Sequence, residues 1–145
     1  MTSGGGSRRD VLLDTAPLAS VFSARDQWHK QSAELWPQLI DRCVTTEAVV
    51  TEACYFVSRA MGRAHAPLDF LLAAGVPIVG LDVAGQRRAA SLMARYHRLP
   101  MDYADASLVV LAEALDIDQI FTADRRGFSK YQPPRGKRFR LLPEL

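Results

Sequence analysis

The 145-residue chain has only two cysteines, Cys43 and Cys54, which form no Cys-x-x-Cys pair and stand at no metal-ligand spacing from its three histidines. That excludes a disulfide framework, argues against zinc and implies buried, reduced thiols. No apolar run approaches the ~20 residues needed to span a bilayer. The N-terminus lacks the apolar core of a signal peptide, so the expectation is a cytoplasmic protein without membrane attachment. There is no internal repeat. A net charge of +2 is too small to argue for a nucleic-acid partner by itself. Acids are missing, however, between Arg125 and Arg140, where Arg125, Arg126, Lys130, Arg135, Lys137, Arg138 and Arg140 fall. Such a cluster either faces a polyanion or is a solvated basic tail.

What is present reads as one domain. The apolar fraction of 48% and charged fraction of 23% are ordinary for a globular protein, and this length can bury a sizeable core. Residues 1–9, with their Ser-Gly-Gly-Gly-Ser run, are expected to be disordered or left over from cloning, with a single domain over 10–145. Asp10 to Asp14 reads as a buried strand ending on an acid, and Thr15-Ala16-Pro17 starts a helix. Gln27 to Arg42 predicts a helix interrupted or kinked near Pro37. Cys43 to Thr46 is a strand, with Thr46 capping a helix from Glu47 to about Met61. That helix carries Val49, Ala53, Phe56, Val57 and Ala60 at a 3.6-residue period.

Pro67 to Ala74 predicts a short helix stopped by Gly75, Val76 to Leu81 a third strand, and Ala84 to Tyr96 a further helix. An apolar helix opening near Asp102, a strand at Gln119 to Thr122 and a last strand at Phe139 to Leu142 complete the chain. Alternating strands and helices predict a three-layer α/β/α sandwich around a parallel sheet of four or five strands.

Ligands in open α/β sheets bind outside the carboxyl ends of the strands. Asp14 follows the first strand and Asp124 follows the Ile120-Phe121-Thr122 strand, which places both on one edge. Glu52 lies between Val49 and Phe56, at the border of its helix's packing face. Asp105 shares a face with Leu108, Ala112 and Leu115 and is expected to point inward. Each acid also has a plain structural reading. Asp14 and Asp102 are good helix caps, Asp102 and Asp105 make a capping pair, Asp124 can start a turn, and Glu52 can sit exposed on its helix. Three or four unpaired carboxylates on one edge would repel one another strongly, and a divalent cation resolves that repulsion.

Oxygen ligands without histidine favour Mg²⁺ or Mn²⁺ over zinc or copper, and such an ion supports hydrolysis of a phosphodiester. Thr15 and Thr122 carry hydroxyls beside the acids and are candidate hydrogen-bond partners. Arg125, Arg126 and Lys130 are candidate phosphate contacts, which position a nucleic acid without reading its sequence.

These residues resemble those of the PIN-domain family, in its VapC-like toxin form. The matching elements are the strand VLLD with Thr15, the helix TEAVVTEACYFVSRA, the helix DASLVVLAEAL and the segment IFTADRRGF, in the expected order over most of the chain. The resemblance implies a parallel sheet between helices and Mg²⁺- or Mn²⁺-dependent endoribonuclease activity. It places Asp14, Glu52, Asp105 and Asp124 in the four acidic positions, with Asp14 and Asp105 as principal metal ligands. Glu47 competes with Glu52 on sequence alone, and the family's placement inside the helix favours Glu52. Asp102 is an extra acid whose role the motif leaves open. The resemblance also implies a homodimer held inactive by a small antitoxin protein.

Two other classes fail on particular residues. A phosphoreceiver domain needs an acidic pair after the first strand and a lysine after the last, whereas Asp14 has no acidic neighbour and Phe139 to Leu142 leads to no lysine. A haloacid-dehalogenase phosphatase needs Asp-x-Asp where this chain has Asp14-Thr15-Ala16. The remaining alternative is a PIN scaffold that binds RNA or a partner without cutting.

Overall fold

The computed structural model describes residues 8–23, 29–136 and 138–144. Val11, Leu12 and Leu13 form β1, and all three are fully buried. Successive strand residues point to opposite faces, so this strand is covered on both sides, as a central parallel strand must be. β1 pairs with β2 (Cys43–Thr46) on one side and β4 (Gln119–Phe121) on the other, with Leu12 opposite both Val44 and Ile120. β3 (Ile78–Val79) and β5 (Arg140–Leu142) form the edges, giving five parallel strands in the order β3-β2-β1-β4-β5.

This order creates the crevice that positions the site. The chain moves outward from β1 through β2 to β3, then returns to lay β4 on the opposite side of β1. The connections after β1 and β4 therefore diverge at neighbouring strand ends, a topological switch point. Asp14 N–H bonds to Phe121 O at 3.0 Å, fixing the end of β1 against the end of β4.

Seven α-helices are described: α1 (Thr15–Ser20), α2 (His29–Leu39), α3 (Glu47–Met61), α4 (Ala66–Ala74), α5 (Val83–Arg95), α6 (Tyr103–Leu115) and α7 (Arg125–Phe128). Thr46 caps α3 through a bond to Val49 N–H at 3.2 Å, and α4 stops at Gly75. Helix α2 runs through Pro37 and ends two residues later in a short 3₁₀ turn, Ile40–Arg42. The predicted start of that helix, Gln27 and Trp28, lies outside the described residues. Trp36 on α2 packs on Phe121 and Phe70 with ring centroids 5.2 and 5.3 Å away, which seats the helix against β4.

Several expectations change. Val76 to Leu81 pairs only at Ile78–Val79, because Pro77 has no N–H for the ladder and contributes its carbonyl alone, to Thr45 N–H at 3.1 Å. Helix α5 begins before Ala84 because Asp82 caps it, bonding Gly85 N–H at 2.8 Å. Phe56 and Ala60 belong to the exposed side of α3, whose buried set is Val49, Val50, Ala53 and Val57. Leu115 is likewise exposed at the end of α6.

Residues 1–7 lie outside the described residues, but the ordered body begins before Asp10. The Arg9 guanidinium donates to the carbonyls of Ile40, Cys43 and Gly75 at 3.0, 3.2 and 3.2 Å. No helix among the described residues is long and apolar enough to cross a membrane. Cys43 and Cys54 are free, and burial pushes the Cys43 thiol up to about 12, which leaves it unreactive.

Candidate active site

A cleft of about 550 Å³ opens at the switch point, and its lining includes Asp14, Thr15, Glu52, Asp102, Asp105 and Asp124. Four elements deliver these groups, namely the end of β1, the second turn of α3, the first turn of α6 and the end of β4. Glu47, one and a half turns before Glu52, lies outside this cleft.

Asp14 is the most enclosed acid, only 5% exposed. Its Oδ1 accepts from Thr15 N–H at 2.8 Å as the cap of α1, and its Oδ2 accepts from the Thr122 hydroxyl at 2.6 Å. Capping and site membership therefore coexist, because a carboxylate has lone pairs for both. Burial raises the Asp14 pKa to about 6, and the charges of Asp124 and Glu52 add to the rise, against the two hydrogen bonds that lower it.

Asp102 and Asp105 form a reciprocal capping box at the start of α6. Asp102 Oδ1 accepts from Asp105 N–H at 2.8 Å, and Asp105 Oδ2 accepts from Asp102 N–H at 3.2 Å. Burial, then the charges of Asp102 and Asp14, push Asp105 up to about 8. Glu52 is half-buried, and its pKa is raised by burial and by the neighbouring Asp102 carboxylate. Asp102, an extra acid in the sequence, thus faces Glu52 within the cleft while capping its helix.

Asp124 caps α7 with Oδ1, which accepts from Gly127 N–H at 2.9 Å, and its own N–H donates to Thr122 Oγ1 at 2.8 Å. Asp105 Oδ1 and Asp124 Oδ2 accept no hydrogen bond among the described residues. Thr15 Oγ1 is buried and has no partner at full hydrogen-bond geometry among the described residues, but it stands near enough to Glu52 to hold that carboxyl's pKa down against burial.

Two residues escaped the sequence reading. Tyr131 is 2% exposed, and its hydroxyl reaches Asp105 Oδ2 at 3.5 Å. Burial and the surrounding carboxylates push its pKa upward, so it remains a donor. Gly127 makes room for both neighbours, since a Cβ there would stand 2.5 Å from Asp124 Oδ2 and 2.8 Å from the Tyr131 hydroxyl. The spacing Asp124, Gly127, Tyr131 is i, i+3, i+7, the one signal available in the sequence that they share a face.

Among the described residues no three acids, histidines or cysteines already converge as an ion cage. The set is nonetheless all oxygen, with unbonded carboxylate oxygens on Asp105 and Asp124, a chemistry that suits a hard divalent ion.

The basic segment divides. Arg125 is half-buried and its guanidinium donates to Pro143 O, Arg135 pairs with Asp116 at 3.0 Å, and Arg140 pairs with Glu144. Arg126, Lys130 and Arg138 are exposed with no ion pair among the described residues, and Lys137 lies outside them.

Comparison with known proteins agrees with this architecture. The PIN domain family matches residues 11–132. Ribonuclease VapC26 of Mycobacterium tuberculosis (strain ATCC 25618 / H37Rv) is 32% identical over 136 residues, covering 92% of this chain and all of that protein. The crystal structure of Mycobacterium tuberculosis VapC20, a sarcin-ricin loop cleaving toxin, superposes with a TM-score of 0.71 at 19% identity. It covers 79% of this chain and 91% of its own, which establishes the shared fold. With a family match spanning β1 to Gln132, this chain belongs to the PIN-domain family, alongside its VapC-type ribonucleases.

Proposed function

We propose that the chain is a divalent-metal-dependent endoribonuclease, the toxin of a toxin–antitoxin pair, with Asp14, Glu52, Asp105 and Asp124 holding Mg²⁺ or Mn²⁺. The observation that carries this reading is the delivery of four carboxylates from four elements into one cleft, with Asp14 buried and Asp105 pushed up to about 8. Such a cluster is costly for the fold and is characteristic of functional sites. The orphaned Thr15 hydroxyl and the unbonded oxygens of Asp105 and Asp124 supply further polar atoms for an ion and its water. The 32% identity to a ribonuclease along nearly the whole chain supports the same chemistry.

When bound, the cation supplies Lewis-acid polarisation of the phosphodiester and charge for the leaving oxygen. Asp14 and Asp105 are its principal holders, each oriented by backbone N–H bonds and, for Asp14, by Thr122. Glu52, half-buried with a raised pKa, is the carboxylate suited to accept a proton from an attacking water. Burial and, after it, the Asp102 carboxylate raise the Glu52 pKa. Arg126 and Lys130, exposed just beyond Asp124, contact the RNA backbone, whereas Arg125 serves the fold through Pro143.

Exposed Phe56 and Met61 on α3 line a shallow apolar cleft with Phe22, a surface suited to a protein partner, the antitoxin or a second copy in a homodimer.

The test is cleavage of RNA by the purified protein in Mg²⁺ or Mn²⁺, with and without excess chelator. The expected result is cleavage that stops on chelation and returns with added metal. Cleavage that survives chelation contradicts the metal mechanism. RNA binding without cleavage in either ion supports the non-catalytic scaffold instead.

A further inference from the structure

A second cavity, of about 610 Å³, adjoins the acidic cleft and shares Glu52 and Asp102 with it. It lies among the first turns of α3 and α6 and the segment after β3. At its base the hydroxyls of Thr46 and Ser107 bond to each other at 2.7 Å, and each makes one further bond to its own helix's backbone. They are satisfied and present a neutral surface. Tyr55 and Tyr103 line the cavity from α3 and α6, at 58% and 42% exposed.

Glu47 gives this cavity its chemical character. Its carboxylate lies so close over Gly80 that a Cβ there would stand 2.7 Å from Oε2. Glu47 is exposed and makes no ion pair among the described residues. No Lys or Arg lines the cavity, while Glu47, Glu52 and Asp102 do. A phosphate is therefore repelled. An uncharged planar group suits the space, which falls in the size range of small-molecule sites.

Unpaired RNA bases stack on aromatic side chains, and an ionised carboxylate only accepts hydrogen bonds. Guanine presents two adjacent donors, N1–H and the 2-amino group, on one edge. Adenine and cytosine set one amino group beside an acceptor nitrogen, and uracil sets one N–H between two carbonyls. We propose that this cavity receives one unpaired guanine of the RNA, beside the bond being cut, with Glu47 accepting from N1–H and the 2-amino group and a tyrosine stacking on the ring. The inference rests on the ribonuclease reading, because the shared Glu52 and Asp102 set this base next to the cleaving acids.

Guanosine and inosine test it, since inosine lacks only the 2-amino group. Titrated into the ¹⁵N-labelled protein, guanosine is expected to shift the amides of Glu47, Thr51 and Gln86 and to bind about 10- to 100-fold more tightly than inosine. Glu47→Gln should bring that ratio near one, and Gly80→Ala should do the same by displacing the carboxylate. Equal binding of the two nucleosides, or no shift at these amides, overturns the proposal. So does a response there to an apolar peptide with none to guanosine, which assigns the cavity to a protein partner.

A second arm compares kcat/KM for short RNAs carrying guanine or hypoxanthine beside the cut. Cleavage indifferent to that replacement removes the guanine site and leaves the ribonuclease reading standing. Guanosine discrimination in a protein that cuts no RNA keeps the site and removes the ribonuclease reading.

Discussion

The Thr122 hydroxyl donates to Asp14 Oδ2 at 2.6 Å while its oxygen accepts the Asp124 N–H at 2.8 Å, so one buried side chain couples the acids that follow β1 and β4. Thr122→Val keeps the shape and removes both bonds. The expected cost is about 1–3 kcal/mol of folding stability, because a buried carboxylate oxygen and a backbone N–H each lose a partner. Divalent-ion affinity should fall as well, since the Asp14 pKa loses its strongest lowering contact. Denaturant unfolding and calorimetric Mg²⁺ titration check this, and unchanged values for both would show that Thr122 positions nothing.

Stability should fall as pH rises in the metal-free protein. Asp14 and Asp105 have folded pKa values of about 6 and about 8, raised from 3.8 mainly by burial. A raised carboxyl pKa means the folded state prefers the protonated form. Its contribution is complete below pH 3.8 and is lost as pH climbs through 6 and then 8. For Asp14 the loss is on the order of 3 kcal/mol. Asp10 titrates below this window, its carboxyl held low by Arg42. The metal-free protein is therefore predicted to be more stable at pH 5 than at pH 8, with added Mg²⁺ narrowing the difference. Asp14→Asn should flatten the part near pH 6. Denaturation curves showing greater metal-free stability at pH 8 would refute the assignment of these carboxylates.

Gly127→Ala tests the packing that fixes Asp124. The added methyl falls 2.5 Å from Asp124 Oδ2 and 2.8 Å from the Tyr131 hydroxyl, so the Asp124 carboxylate must leave its place. Overpacking of this kind costs about 1–3 kcal/mol. We expect RNA cleavage to drop more than tenfold while far-ultraviolet circular dichroism is retained. Full activity in a folded Gly127→Ala protein would remove Asp124 from the site.

The basic residues beyond Asp124 should separate into two behaviours. Arg126→Ala and Lys130→Ala are expected to weaken RNA binding evenly across sequences, each lowering the salt slope of log Kd by about one. Arg125→Ala is expected to reduce stability, because its guanidinium holds Pro143 O. Salt-dependent binding isotherms and thermal melts distinguish them. An Arg125 variant that melts normally and loses RNA affinity would reverse these roles.

The sheet and the acidic edge were legible in the sequence because strand ends and topology decide them. Asp14 directly follows β1 and Asp124 comes three residues after β4, so the parallel order brings them to one edge. Asp102 was harder to place. Its N-cap pattern is genuine, yet the same carboxylate lies beside Glu52, and a capping motif does not say where the second oxygen points. Periodicity also overextended the apolar faces. Phe56 and Leu115 continue the helical pattern but lie beyond the edge of the packed layer. Tyr131 and Gly127 offered only their i, i+3, i+7 spacing from Asp124, because their role depends on how the chain folds back after β4. Arg125 looks identical to Arg126 in sequence and differs only through the Pro143 carbonyl it meets.

The most direct test of the central claim is RNA cleavage by purified Asp14→Asn and Asp105→Asn proteins in Mg²⁺ or Mn²⁺, beside the wild type. Both substitutions remove a charge from a self-repelling cluster, so metal-free folding should be retained or strengthened. The account predicts metal-dependent cleavage by the wild type and none by either folded variant. Undiminished cleavage by either variant would contradict it.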